Sequence, residues 1–242
     1  MTGNNILGII YSNKYDECLN EITGLRTMGS VPFAGRYRLI DFALSNMVNS
    51  GIEKVGVITK SNYQSLMDHL GTGKPWDLSR KTEGMFNLPP VSSASNMGDY
   101  TNRVEMLRGV MGFISRSTEE YVLLSDCNEV MNIDIDELMD FHADNNADVS
   151  IVYQHGVLPK LDNIMELQMQ DGGRVTQVAL SPNTTGEVDY SLNMILMKRS
   201  LLQRLINEAV SLNHESFERD IIQGNTEKLR IFGFAAKGFT RT

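Results

Sequence analysis

The chain is 242 residues long, enough for one α/β domain whose core needs neither disulfide nor metal. Hydrophobic residues make up 41%, charged residues 21% and aromatics 7%, values that exclude a disordered chain. The formal net charge of −8 gives an acidic surface that repels nucleic acid and anionic lipid, so no nucleic-acid or membrane partner is expected. Cys18 and Cys127 make no disulfide framework, no apolar run approaches the roughly 18 residues of a membrane span, and no secretory leader is evident. The expected compartment is therefore the cytoplasm.

In chain order, the apolar run Ile6–Tyr11 is expected to form a first, buried strand. Residues 38–50 carry apolar side chains at helical spacing and stop at Gly51, a residue suited to the position after a helix. The β-branched run 55–59 reads as a second strand, and Ser61 is placed to cap a helix over 63–70. Residues 71–102 are rich in Gly, Ser, Asn and Pro, show no clear period, and read as a long functional loop. A helix is expected over 103–115 and a third strand over 121–125. Asp134-Ile135-Asp136-Glu137 has the pattern of a capping box opening a helix to about Asn145, and a fourth strand follows over 149–153. Residues 165–170 and 174–180 flank Asp171-Gly172-Gly173 as a β-hairpin. A strand over 190–197, a helix over 200–213 and a last strand over 229–236 complete the pattern.

Strands that alternate with helices imply an α/β fold with a mainly parallel sheet covered on both faces. Such sheets bind ligands beyond the carboxyl ends of their strands, so functional residues are expected just after Tyr11, Ser125 and Met197.

One stretch is far more specific than any single motif. Val31-Pro32-Phe33-Ala34-Gly35-Arg36-Tyr37-Arg38-Leu39-Ile40-Asp41-Phe42-Ala43-Leu44-Ser45-Asn46, followed by Asn49-Ser50-Gly51-Ile52, resembles the V-P-F-G-G-K-Y-R-L-I-D-F-x-L-S-N…N-S-G-I segment of ADP-glucose pyrophosphorylases. The likeness continues at Ser65-Leu66, His69-Leu70, residues 121–126, His142, Ala147-Asp148-Val149 and Asp220-Ile221-Ile222. It implies a Rossmann-like fold of the nucleotide-diphospho-sugar transferase type over residues 1–242. The family reaction joins ATP and glucose 1-phosphate into ADP-glucose and pyrophosphate, with Mg²⁺ bridging the phosphates. A C-terminal left-handed β-helix domain, which the family carries, is expected to be absent from this chain.

The departures from the family carry as much information. Its glycine-rich loop L-A-G-G-x-G-x-R-L, whose backbone N–H groups wrap phosphates, is replaced by Leu7-Gly8-Ile9-Ile10-Tyr11-Ser12-Asn13-Lys14-Tyr15-Asp16-Glu17. Asp16 and Glu17 fall about where the resemblance places an Arg, and a carboxylate roughly 6 Å from a phosphate costs on the order of 3 kcal/mol. Met28 takes the place of a phosphate-directed Lys in K-P-A-V-P-F. Asn102-Arg103-Val104-Glu105-Met106 stands for the nucleotide-site G-T-A-D-A, and Ser181 for the Lys of the sugar-phosphate E-K-P. Each lost charge-stabilising donor typically costs roughly 10²–10³ in rate. Asp126 and Asp220 match the family's Mg²⁺ carboxylates, Ser191 matches a Ser that faces the glucose, and Cys127 replaces the His after the metal Asp.

This pattern of loss resembles the GlgD-type regulatory subunit that stands beside a catalytic subunit in some bacteria. The resemblance implies a regulatory or weakly catalytic subunit acting in glycogen synthesis, with a catalytic ADP-glucose pyrophosphorylase subunit as partner. Two alternatives stay open. One is an active adenylyltransferase that holds phosphate by other groups, such as Lys14, Arg103 and Arg36; the other is a sugar-phosphate sensor. Plainer roles also stand beside the sharp ones. Asp126 and Asp220 also suit capping, Arg36 and Arg38 suit structural roles with Arg38 paired to Asp41, and His69 and His142 suit packing inside helices.

Overall fold

The computed structural model describes residues 3–13, 16–60, 62–80, 83–89, 102–159, 161, 163–181, 184, 186–238 and 240–241. Its organising element is a mixed nine-stranded sheet. Ile6–Tyr11 lies in the centre and pairs in parallel with Lys54–Ile58 on one side and Tyr121–Asp126 on the other. All six residues of Ile6–Tyr11 are buried, which is why the run is continuously apolar rather than alternating. Beyond Tyr121–Asp126 the long strand Glu187–Lys198 runs antiparallel. It carries Val149–Val157 and the hairpin Met165–Met169/Val175–Leu180, and Ile231–Ala235 pairs in parallel with Val149–Val157.

Successive side chains of the central strands point to opposite faces and feed two cores. Ile6 and Ile10 pack with Ile40, Leu44 and Met47 of the helix Leu39–Asn49. Leu7, Ile9 and Tyr11 pack on the other face with Val104, Leu107, Leu202, Leu205 and Phe217. Helices therefore cover both faces, as an α/β fold requires. No helix among the described residues is long and apolar enough to cross a membrane.

Most elements fall where the residue pattern puts them, and three differ. The segment read as a loop over 71–102 contains the strand Gly84–Leu88, which extends the sheet by pairing in parallel with Lys54–Ile58. The helix expected over 103–115 is broken at Val110 into Arg103–Gly109 and Met111–Arg116. Asp134 caps its helix by accepting from the N–H groups of Asp136 and Glu137. The Glu137 carboxylate accepts instead from Lys237, so the reciprocal half of the expected capping box is diverted.

Candidate functional site

Tyr11 pairs in register with both Ile58 and Asp126, so three parallel strands end level with one another. The loop that leaves Tyr11 is tied to this edge by its own polar groups. Ser12 Oγ donates to the Ile58 carbonyl, and Asn13 Oδ1 accepts from the N–H of Lys60 at 2.7 Å. Asn13 Nδ2 donates to Asp16 Oδ2 at 2.6 Å, while Asp16 Oδ1 accepts from the N–H of Met28 at 2.7 Å. The Asp16 carboxylate thus clamps the first loop to the segment holding Met28, and burial raises its pKa above 3.8. The sequence-based expectation set this carboxylate against a phosphate; the structure turns it inward and leaves Glu17 exposed. Met28 is buried in the core, far from the role of the Lys it replaces. Lys14 and Tyr15 lie outside the described residues.

Beneath the strand ends sits a buried charge cluster. Asp126 is 0% exposed, and its Oδ1 accepts from Arg103 Nη2 at 2.5 Å. Arg103 is 7% exposed, reaches Glu218 Oε1 at 3.5 Å, and stacks its guanidinium 4.4 Å from the Tyr11 ring centre and 5.7 Å from that of Phe217. The guanidinium is planar, so it can bond Asp126 at its edge and lie flat on Tyr11 at once. Burial pushes the Tyr11 phenol far above its ordinary value, and the Arg103 charge only partly offsets this. Arg103 is the first residue of the helix Arg103–Gly109, where Asn102 caps the N–H of Glu105. Glu105 is therefore at a helix start, while the neighbouring Arg103 meets the strand-end carboxylate.

Asp220 belongs to the helical turn Phe217–Ile222, which also carries Glu218. Its Oδ2 accepts from the N–H groups of Glu215 and Ser216, closing the start of that turn. Residues two apart on a helical turn point in nearly opposite directions. Glu218 faces Arg103, and Asp220 lines a different groove with Leu205, Glu208 and Lys228. Among the described residues no group of three or more His, Cys, Asp or Glu side chains is arranged to hold a metal ion. The donor set does not fit the Mg²⁺ that the resemblance implies. One expected ligand faces a guanidinium, and the other accepts hydrogen bonds from its own turn.

Ser191 lies on Glu187–Lys198 at a break in pairing between Ser191 and Ile195. Its Oγ accepts from the N–H of Asn193, which is buried with φ +55°. The resemblance places a Gly at Asn193, and Asn is the side chain that best tolerates this left-handed backbone. Such bulges re-aim side chains near functional sites, and this one lies two residues before Ile195, the partner of Leu124. Tyr11 Oη, Thr27 Oγ1, Asn128 Oδ1 and Asn193 Oδ1 are buried without hydrogen-bond partners among the described residues.

Arg36 sits exposed on a short hairpin whose strands are Pro32–Phe33 and Tyr37–Arg38. Phe33 and Tyr37 pack on Phe42 at ring distances of 5.4 and 6.0 Å. Arg38 is structural through partners other than the one expected. Its guanidinium donates to Ser65 O and Oγ, and only its backbone N–H reaches Asp41. Asp41 instead holds His69 at 2.6 Å. Ser181 Oγ accepts from the N–H of Asn163, beside the end of the strand Val175–Leu180. Cys127 is a buried free thiol whose pKa burial drives well up, which makes it unreactive.

Sequence reasoning offered Arg103 only as a phosphate contact and gave Glu218 no role. The available signal was a long cation at the position of a small residue, one helix away from a strand-end Asp.

A family model described as Nucleotidyl transferase matches residues 18–178. The glycogen biosynthesis protein GlgD of Bacillus subtilis is 40% identical over 156 residues, covering 64% of this chain and 45% of that protein. The glucose-1-phosphate adenylyltransferase of Thermosipho africanus is 28% identical over 237 residues, covering 97% of this chain and 58% of that protein. A glucose-1-phosphate adenylyltransferase of Bacillus cereus is 37% identical over 133 residues, covering 55% and 35% respectively. The chain spans about half the length of these curated relatives. With a matched segment that takes in the Asp16 clamp partner Met28, the Arg103–Asp126 pair and the strand Met165–Met169, the chain belongs to the nucleotidyl transferase family.

Proposed function

We propose that this chain is the nucleotidyltransferase-like part of a regulatory subunit of glucose-1-phosphate adenylyltransferase, acting in glycogen synthesis through a catalytic partner subunit and with little or no turnover of its own. The observation that carries the reading is the buried Arg103–Asp126 pair. A fixed guanidinium occupies the carboxylate that a divalent ion would need, and it does so at a wholly buried position where charges are not exchanged for water. The Asp16 clamp adds to this, because it commits the Asn13 amide and the Met28 N–H to internal hydrogen bonds. Similarity to proteins called glycogen biosynthesis protein GlgD and glucose-1-phosphate adenylyltransferase supports both the pathway and the partner.

In this reading Ser191 and Arg36 remain the candidates for contact with a sugar phosphate, and Mg²⁺ has no held place in the chain. The protein keeps the family shape and acts by favouring one state of its partner, a coupling typically of about 1–3 kcal/mol. The test is pyrophosphate release from Mg²⁺, ATP and glucose 1-phosphate, by the purified protein alone and after mixing with the catalytic subunit. The expected outcome is turnover far below the usual range of about 1–10³ s⁻¹ alone, and altered kinetics of the partner in the mixture. Turnover within that range from the protein alone would overturn the proposal, as would a partner unaffected at any ratio.

A further inference from the structure

At the opposite end of the sheet from the site above lies a surface cavity of about 690 Å³. Tyr121 begins the strand Tyr121–Asp126, Asp148 precedes Val149–Val157, and Arg230 precedes Ile231–Ala235; all three line it. At about 3.3 Å per residue, this floor is roughly 17 Å from the strand ends at Asp126. The cavity therefore shares no residue with the candidate site.

Its chemistry contrasts with the acidic chain around it. Lys198, Arg204 and Arg230 line it against the single carboxylate Asp148. The helix Arg199–Ser211 starts at its wall with no side chain capping the first turn, and Ser200 and Leu201 face the space. The Arg199 N–H is taken by the Glu120 carbonyl at 2.8 Å, so the helix start offers an anion the N–H groups that follow and the positive end of the helix dipole. The second, independent observation is His142, which is 2% exposed and lines the same cavity. Its Nδ1 is 2.8 Å from Ser150 Oγ, while its Nε2 is buried with no hydrogen-bond partner among the described residues. Burial lowers its pKa to about 4, with Asp148 and Lys198 acting in opposite directions on the ring, so the imidazole is neutral at neutral pH, and in the tautomer whose Nδ1 accepts from the Ser150 hydroxyl its Nε2 is the donor. The nearby acids are already engaged. Glu120 holds Lys198 at 3.2 Å, and Asp148 lies 3.7 Å from Arg230 Nε. The Lys198–Glu120 pair is exposed and can be exchanged by a competing anion, while the half-buried Asp148 carboxylate also accepts from the Arg230 N–H at 2.8 Å and leaves the Arg230 guanidinium largely in solvent.

We propose that this cavity binds a phosphomonoester dianion, either free phosphate or the phosphate of a small sugar phosphate, with Arg204 and Arg230 as the charged fork, Lys198 beside them, and His142 Nε2 as the buried donor. Two arginines suit two phosphate oxygens, and the volume leaves room for a polar body beyond them.

The chain has only four histidines, so side-chain NMR of histidine-labelled protein resolves His142 directly. The probes are inorganic phosphate and a hexose 6-phosphate, titrated separately. A saturable shift of the His142 ring resonance is expected with at least one, and the double variant Arg204→Ala/Arg230→Ala should weaken it roughly 10-fold or more. Both arginines are exposed, so the variant keeps the fold. Tighter binding of the hexose phosphate identifies a sugar phosphate as the ligand, and equal binding identifies phosphate alone. The proposal is overturned if neither probe moves His142 up to about 10 mM, or if the double variant binds as tightly as the parent.

Discussion

Replacing Arg103 by Met keeps most of the side-chain volume and removes the charge. The substitution deletes the 2.5 Å contact to Asp126, the 3.5 Å contact to Glu218 and the stacking over Tyr11. Asp126 is fully buried and Glu218 nearly so, so two carboxylates would share one water-poor region without their cation. Removing one partner from a buried ion pair costs about 3–5 kcal/mol. For a domain of this size each kcal/mol moves Tm by roughly 2–4 °C, which gives a loss of about 6–20 °C by scanning calorimetry. Adding Asp126→Asn and Glu218→Gln to Arg103→Met should recover most of it, because the buried carboxylate charges no longer offset by Arg103 cause the damage. A loss under about 2 °C for Arg103→Met, or no recovery in the triple variant, would refute the view that this cluster is a tightly coupled buried pair.

The remaining expectations concern pH and backbone. The pKa of His142 is about 4 in the fold against 6.5 in its ordinary state, so the folded chain sheds this proton. Stability from this group is complete above pH 6.5 and declines as pH falls towards 4, by up to about 3 kcal/mol; a His142→Gln variant whose urea midpoints fall as steeply as the parent's over this window would contradict it. Asp16 works in the other direction, because burial raises its folded pKa. Relative to Asp16→Asn, the parent should lose stability as pH climbs from about 4 through that raised value, and a relative gain would count against the assignment. Ala34 holds φ +49° at the exposed hairpin turn, where a side chain is strained. Ala34→Gly should stabilise by about 0.5–1 kcal/mol after the entropy cost of glycine, and a lower Tm would show that the turn is unstrained.

The sequence revealed much of the frame because its signals were local. Ile6–Tyr11 is apolar without a break, the hairpin turn carries Asp171-Gly172-Gly173, and Gly51 follows the helix Leu39–Asn49. Gly84–Leu88 was missed because an edge strand of five residues, set among Gly, Ser and Pro, shows no period of its own. Only its parallel pairing with Lys54–Ile58 and the packing of Phe86 on Phe113 define it. The site was legible in its positions and not in its contacts. Asp126 and Asp16 stand out in the sequence by their place in the motifs, but which cation meets Asp126 depends on a helix 23 residues earlier in the chain. The inward turn of Asp16 depends likewise on a backbone N–H 12 residues away. Neither separation leaves a trace in local composition.

The buried Arg103 cluster also bears on the history open to this protein. A lineage that acquired the guanidinium could then bury its surroundings more deeply, since the cation offsets part of the charge of the two carboxylates. Once that has happened, a single codon change returning a small side chain at position 103 passes through an unstable protein, while a change at 126 alone removes the shorter of the two carboxylate contacts to the cation. Any path back to an exchangeable ion between carboxylates needs several substitutions at once, with selection opposing each one taken singly. A charge arrangement buried in this way is self-locking: neutral drift continues around the cluster, but reversal is screened out by folding before function is ever tested.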